Sequence, residues 1–421
     1  MKIYLVGGAV RDKLLNLSIK DRDWVVVGGD SCTLLKKGYK QVGKDFPVFI
    51  HPITHEEYAL ARIEKKSGVG YSGFNTDYST TVTLEEDLMR RDLTINAIAQ
   101  DNNGNYIDPF NGKKDLKLRL LRHISNRFTE DPLRVLRVAR LAATLSSLGF
   151  RIAKKTMSLM SNISRSNELL FLTSDRIWKE TEKALITSHP HVYFQVLHAC
   201  QALPVLFPEL HKLYSIYLPL RMYNKIIDIG DFMLMGLAKI SLFSNDIDVR
   251  FASLFQLLSY TVISYTCKIK KYEHYNTCAA LLTRTFCKRL HVPSTIQDLA
   301  VIISGFNIFL HRINCQTSES IIKFFDQIDA WRKPDRIKKL SLLSNIYISN
   351  YISLEHLFFN PGEYLQNMFD IANTISVKSV LQLGFTGINI RIELTRLRIL
   401  SIEKERIFLT NKINHQLQCI I

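Results

Sequence analysis

The sequence predicts an α+β fold, a mixed α/β head at the N-terminus followed by an all-helical remainder. Three observations carry this. Up to about residue 110, short β-branched or aromatic runs recur, with Gly and Asp between them. Beyond Glu130 long segments of helical periodicity dominate and Gly becomes sparse. The chain has 421 residues and is 47% apolar, enough for sizeable cores in several domains.

In chain order, strands are expected at Ile3–Val6, Trp24–Val27, Val48–Ile50 and Tyr58–Ala61. A helix is expected over Val10–Leu15, just after Gly7-Gly8, and turns at Gly28-Gly29-Asp30 and Asp101-Asn102-Asn103-Gly104. Helices follow over Leu133–Leu145 and Arg176–Thr187. Pro204, Pro208 and Pro219 mark a linker, and Pro334 and Pro361 interrupt later helices. The apolar run Phe251–Cys267 is shorter than the ~20 residues of a membrane span and carries Ser253, Gln256, Ser259 and Thr261. It reads as a buried core helix.

Lys and Arg total 55 against 39 Asp and Glu, a net charge of +16. That excess suits a polyanionic partner, nucleic acid before membrane, although drift toward Lys-rich composition produces it too. The seven cysteines are scattered with no C-x-x-C pair, which argues against a zinc ribbon or a disulfide framework and for reduced thiols in a cytoplasm. The start, Met1–Val6, meets Arg11 and Asp12 too soon for a signal peptide.

Several segments can carry chemistry. Gly7-Gly8 between a strand and a helix lets backbone N–H groups approach a phosphate, with Arg11 one turn on; a plain tight turn has the same appearance. Asp21-Arg22-Asp23 precedes an apolar strand, so both carboxylates can share one face and ligate Mg²⁺. A lone D-x-D is weak evidence. Glu57 is a candidate third carboxylate, or an exposed strand residue. Arg90-Arg91, read as opening a helix, can clamp a triphosphate, with Asn96 fixing the local backbone; solvated arginines are the plainer reading. Asp131 suits an N-cap with Pro132 at the first helical position. Arg134, Arg137 and Arg140 then form a cationic stripe that, without partners at i+4, calls for an anion opposite.

Together five ordered motifs resemble the bacterial CCA-adding enzymes of the class II nucleotidyltransferase superfamily, which also holds bacterial poly(A) polymerases. They are Gly7–Asp12 with Asp21-x-Asp23, Arg90–Ala97, Asp108–Gly112, Glu130–Arg134 and Thr173–Glu180. The likeness is close to about residue 185 and continues more loosely toward Asp329–Pro334. It implies a polymerase-beta-like nucleotidyltransferase head over residues 1–130, a helical neck over 131–205, an HD-like body over 206–325 and a tRNA-binding tail over 326–421. Asp21 and Asp23 then correspond to the catalytic Mg²⁺ ligands, and Gly8, Arg11 and Arg91 to contacts of the incoming ATP or CTP. Asp131 and Arg134 correspond to the amino-acid template, Arg137 and Arg140 complete the nucleotide site, and Arg176 and Glu180 hold the helices behind it. The implied reaction is addition of CCA to the 3′ end of tRNA by a cytoplasmic monomer that uses no membrane. Poly(A) polymerase is the alternative; the run Gly43–Phe49 resembles the CCA-adding form instead. A basic RNA-binding scaffold with a decayed site is the other.

Relatives in one branch carry a His…His-Asp…Asp metal site in the body. Here none of the twelve histidines precedes an Asp, and Phe255-Gln256 stands where the dipeptide would fall. Phe cannot ligate a metal and neutral Gln is a poor substitute, so the body is expected to be a helical relic without phosphohydrolase activity. In the tail Arg332, Lys333, Arg336, Lys338 and Lys339, and then Arg391, Arg396 and Arg398, suggest a grip on the acceptor and T arms of tRNA. The glycine-rich run Lys65–Gly73 reads as a surface loop able to take part in switching from C to A.

Overall fold

The computed structural model describes residues 1–42, 48–66, 74–220, 225–263, 272–348 and 360–418. Most of Gly43–Phe49 and of Lys65–Gly73 therefore lies outside the described residues. The chain divides into two compact units, Met1–Pro208 and Glu209–Ile421.

The first unit opens with β1 (Lys2–Val6), α1 (Gly8–Leu14), β2 (Asp23–Val27), α2 (Ser31–Lys36), β3 (Lys40–Val42), β4 (Val48–Ile50), β5 (Glu57–Leu60), β6 (Ile63–Lys66), β7 (Phe74–Asp77) and α3 (Leu84–Met89). Then come β8 (Ala99–Gln100), β9 (Tyr106–Ile107), α4 (Gly112–Leu118), β10 (Leu120–Leu121), α5 (Leu133–Thr144), β11 (Arg151–Ile152), α6 (Lys154–Arg165), α7 (Ser174–Leu185), α8 (Pro190–Ala199) and α9 (Leu203–Leu206), while α10 (Pro208–His211) begins at the unit's last residue. The four expected strands are present, with ends within one residue.

A seven-stranded mixed sheet has the order β3-β4-β5-β2-β1-β8-β9. β2 and β5 run parallel, and the other neighbours antiparallel. Successive side chains on a strand face opposite ways. Val25 accordingly joins Val6, Val82, Leu88, Ala97 and Ala99 on one side, while Val26 joins Leu34, Phe49, Tyr58 and Leu60 on the other. This double burial makes β2 a continuous apolar run and fixes its register. Val6 sits opposite Asp23, and Asp23 beside Glu57, so the end of β1 and the starts of β2 and β5 meet at one end of the sheet.

The remainder is not wholly helical, contrary to expectation. β10 and β11 form a two-residue parallel pair, too short to leave a periodic signal. In the second unit β12 (Tyr217–Leu220) and β13 (Lys225–Asp228) form a hairpin, and Pro219, read as linker, lies within it. A two-stranded ribbon consists of edge strands only, where proline is tolerated.

The second unit continues with α11 (Ile229–Phe243), α12 (Ile247–Ser253), α13 (Ser259–Ile263), α14 (Tyr272–Arg289), α15 (Ser294–His311), α16 (Ser318–Gln327), α17 (Asp335–Ile348), α18 (Pro361–Asn373), α19 (Val377–Gln382) and α20 (Ile388–Gln418). Asp228, Thr317 and Asn360 cap the helices they precede, each accepting from backbone N–H groups of the first turn. As far as Ile263, the run from Phe251 is the end of one short helix and a second one joined by a turn, not one helix. Its core is aromatic: Phe255 is fully buried, its ring centroid 4.8 Å from Phe251 and 4.9 Å from Phe286. Gln256 donates to the Leu343 carbonyl (3.4 Å). α20 is tied down by Arg398, whose guanidinium lies 3.6 Å from the Trp331 ring centroid. No helix of the described residues is long and apolar enough to cross a membrane.

Each basic residue of the 332–339 cluster faces an acid of the same unit. Arg332 pairs with Asp329, Lys333 and Arg336 with Asp298, Lys338 with Asp335, and Lys339 with Asp246 and Asp248. Arg396 pairs with Glu393. The tail's run of cations is therefore largely balanced locally, which weakens the charge argument for a phosphate grip there.

Candidate active site

Val6 ends β1 and hands the chain to Gly7, whose φ of 73° is a left-handed conformation that favours glycine. A methyl at Gly7 would also stand 3.0 Å from Arg91 Nη1 and 3.9 Å from Asp23 Oδ2. The turn thus brings backbone, Arg91 and Asp23 together. Asp23 is the first residue of β2, while Asp21 lies before the strand, so the pair straddles its start. Burial pushes the Asp23 carboxyl above its ordinary range; Arg91 opposes this, and the Asp21 charge adds to it. Two carboxylates that repel one another at a partly open edge fit a hard divalent cation, which completes its shell with water and substrate phosphate. Among the described residues no group of three or more His, Cys, Asp or Glu could hold a metal ion. Glu57 sits beside Asp23 in register and is exposed.

Arg90 and Arg91 do not open a helix. They follow the last turn of α3, which Thr83 and Glu86 start with a reciprocal capping box. The arginines close onto Asp87, one turn earlier and fully buried: Arg90 Nη2 at 2.7 Å and Arg91 Nη2 at 3.2 Å. Asp87 escaped the sequence reading, although an acid at i−3 and i−4 from paired arginines is the signal that could have found it.

The arginine stripe has its anions within the chain. Arg11 Nη1 donates to Asn96 Oδ1 (2.8 Å), and Asn96 Nδ2 donates to Asp92 Oδ1 (3.0 Å). Asp92 Oδ2 accepts from Arg137 Nε (2.9 Å). Arg140 Nε donates to Glu180 Oε2 (2.5 Å), and Arg137 lies 3.9 Å from Glu180 Oε1. The inference that Arg137 and Arg140 require an external anion is corrected accordingly: their partners are 45 and 40 residues away in sequence. Asp92 is buried, and Arg137 with Asn96 holds its carboxyl far below the usual range against the cost of burial.

The Asp108–Gly112 motif supports this segment from below. Asp108 accepts from the N–H groups of Gly112 and Lys113 at the start of α4, and a methyl at Gly112 would lie 2.3 Å from the Thr94 carbonyl oxygen. Asp115 Oδ2 accepts from the Thr94 hydroxyl (2.7 Å). Asp131 Oδ1 accepts from the Leu133 N–H (3.1 Å) at the start of α5, and Pro132, rather than Asp131, is the residue at the cap position. The other Asp131 oxygen accepts from Arg176 Nη2 (3.2 Å). Arg134 is buried and donates to the carbonyls of Arg127 (2.7 Å) and Arg90 (2.5 Å), so it joins α5 to the arginine pair. A cavity of about 560 Å³, lined by Asp30, Cys32, Leu60 and Tyr78, opens toward the other end of β5.

Residues 3–122 match the family described as the poly A polymerase head domain, and residues 149–214 the one described as a probable RNA and SrmB-binding site of polymerase A. The CCA-adding enzyme of Buchnera aphidicola subsp. Acyrthosiphon pisum (strain Tuc7) is 55% identical over 409 residues, 97% of this chain and 98% of that protein. The chain belongs to the CCA-adding enzymes. Two solved members of that family share the fold. The Bacillus stearothermophilus CCA-adding enzyme in complex with CTP has a TM-score of 0.60 at 21% identity, over 99% of this chain and 94% of that one. The Thermotoga maritima CCA-adding enzyme complexed with tRNA_CCA has a TM-score of 0.60 at 18% identity, over 95% and 87%.

The head-domain match of this CCA-adding chain spans Gly8, Arg11, Asp21, Asp23 and Arg91, and the second match spans Arg176 and Glu180. Asp131, Arg134, Arg137 and Arg140 fall between the two. Side-chain bonds nevertheless join that stretch to both sides, through Asp92 to the head and through Arg176 and Glu180 to α7.

Proposed function

We propose that this chain adds the 3′-terminal CCA sequence to tRNA from CTP and ATP, releasing pyrophosphate at each step. The observation that carries the reading is the meeting of Asp23 and Arg91 at the β1–α1 turn, with the Asp21 charge acting on Asp23. In each step the terminal 3′-oxygen of tRNA bonds to the α-phosphorus, the bond from that phosphorus to the β-bridging oxygen breaks, and the hydroxyl proton passes to solvent or a nearby base. Mg²⁺ held by Asp21 and Asp23 would supply activation of the hydroxyl and charge neutralisation on the phosphates. Arg91 and Arg11, with the backbone at Gly8, bind and orient the triphosphate.

Selection of the base falls to Asp131 and Arg134. A carboxylate accepts from the exocyclic amine of C or A, and a guanidinium donates to the neighbouring ring acceptor, whereas G and U present the opposite pattern. The bond from Arg176 leaves Asp131 further lone pairs while limiting its rotation. Arg137 and Arg140 support the site through Asp92 and Glu180 instead of touching the nucleotide.

The test is direct. The protein, Mg²⁺, CTP and ATP are incubated with tRNA lacking its 3′ terminus, and the new ends are sequenced. Addition of CCA upholds the reading; a long A tail means a poly(A) polymerase, and no product a scaffold. Asp131→Ala is expected to lower discrimination against UTP by about 5- to 150-fold, the value of one unpaired group at ~1–3 kcal/mol. Competition between CTP and UTP for tRNA ending before the first C measures it.

A further inference from the structure

Asp87 lies in the last turn of α3 with no exposed surface. Its Oδ1 accepts from Arg90 Nε (3.0 Å), Arg90 Nη2 (2.7 Å) and the backbone N–H of Arg62 (3.3 Å). Its Oδ2 accepts from Arg91 Nη2 (3.2 Å). Arg62 follows β5, whose first residue stands beside Asp23. One buried carboxylate therefore ties together the end of α3, both arginines and the strand next to the metal pair. Despite burial, the two guanidinium groups hold the carboxyl below its ordinary range.

The consequence for Arg91 is specific. Its Nη2 is anchored, its Nη1 stands against Gly7, and its Nε is buried without a hydrogen-bond partner. A buried unpaired donor is costly unless something arrives to use it. Two adjacent guanidinium groups would also repel one another were the carboxylate absent. We propose that Asp87 is a positioning residue, one that fixes the Arg91 guanidinium against the β1–α1 turn so that it meets the triphosphate of either nucleotide. Arg90 occupies the opposite oxygen and keeps Asp87 from rotating away. This rests on the proposed nucleotidyl transfer and adds to it a residue that touches no substrate.

A double-mutant cycle tests the proposal. Asp87→Asn, Arg91→Ala and the pair are made in the full chain, and KM and kcat for CTP and ATP are measured with shortened tRNA. Asp87→Asn alone is expected to raise KM for both nucleotides by about tenfold with kcat changed much less, since a phosphate clamp binds ground and transition states alike. In the Arg91→Ala background it is expected to change KM by less than about twofold, because a residue acting through Arg91 has nothing left to position. An unchanged KM in Asp87→Asn, or the same fold-change in both backgrounds, overturns the proposal. Should Asp87→Asn not fold, Asp87→Glu takes its place in the same cycle, with a smaller KM rise expected and the same criterion. Wild-type protein that adds no CCA would sink the functional reading itself, a result distinct from CCA addition with an additive cycle.

Discussion

Asp23→Asn is expected to lower nucleotide addition by about a thousandfold or more while tRNA affinity stays within about threefold, since the lost metal anchor contributes several kcal/mol to the transition state. The substitution is nearly isosteric. The strand pairing of Asp23 with Val6 and Glu57 belongs to the backbone, so the sheet register should survive. What disappears is one of two anionic oxygen donors, and a carboxamide is a poor replacement on a hard cation. Thermal melts separate this from misfolding. The burial that raises the Asp23 carboxyl, and the Asp21 repulsion that adds to it, no longer act on a charged group in the variant, so in EDTA its melting temperature should equal or exceed that of wild type. Added Mg²⁺ should then stabilise wild type more than the variant, by mass action on a site only one of them retains. Turnover in Asp23→Asn within tenfold of wild type would show that the pair does not hold the catalytic metal.

The head was legible because local signals and long-range packing agree there. β2 is a run of valines buried on both faces, and Gly7 needs a left-handed φ next to the strand, so both left marks in the sequence. The arginine stripe on α5 was legible as a stripe but not as a network. Its partners, Asp92 and Glu180, are brought near only by the packing of α5 on the end of the head and on α7. Arg90-Arg91 was misplaced for a different reason: α3 has six residues, too few to show a helical period. β10 and β11 failed on the same ground of length. The pairing of the basic tail was not legible because Asp246, Asp248 and Asp298, which balance Lys339 and Arg336, lie far earlier in the chain.

That network makes a second large effect expected, this time on stability: Asp92→Asn should destabilise the first unit by about 3 kcal/mol. Asp92 is buried and accepts from its neighbour Leu93 N–H (2.9 Å), from Asn96 and from Arg137. Neutralising it takes the close ion pair from Arg137, whose next carboxylate is Glu180 at 3.9 Å, already engaged by Arg140. The Arg137 side chain is 42% exposed, so water recovers part of its solvation and the cost falls at the lower end of the range for a buried pair. For a unit of about 200 residues this corresponds to a melting temperature lower by about 6–12 °C. Removing both charges should cost less than removing one, because the larger penalty comes from the stranded cation. The double variant Asp92→Asn/Arg137→Met is therefore expected to melt above Asp92→Asn, and urea unfolding should give the same order. If the double variant were the least stable of the three, the pair would be a source of net attraction rather than a mutual neutralisation. Asn96 gives the same substitution a reach into the site, since it joins Asp92 to Arg11, and the nucleotide KM of any folded Asp92→Asn protein should rise along with its instability.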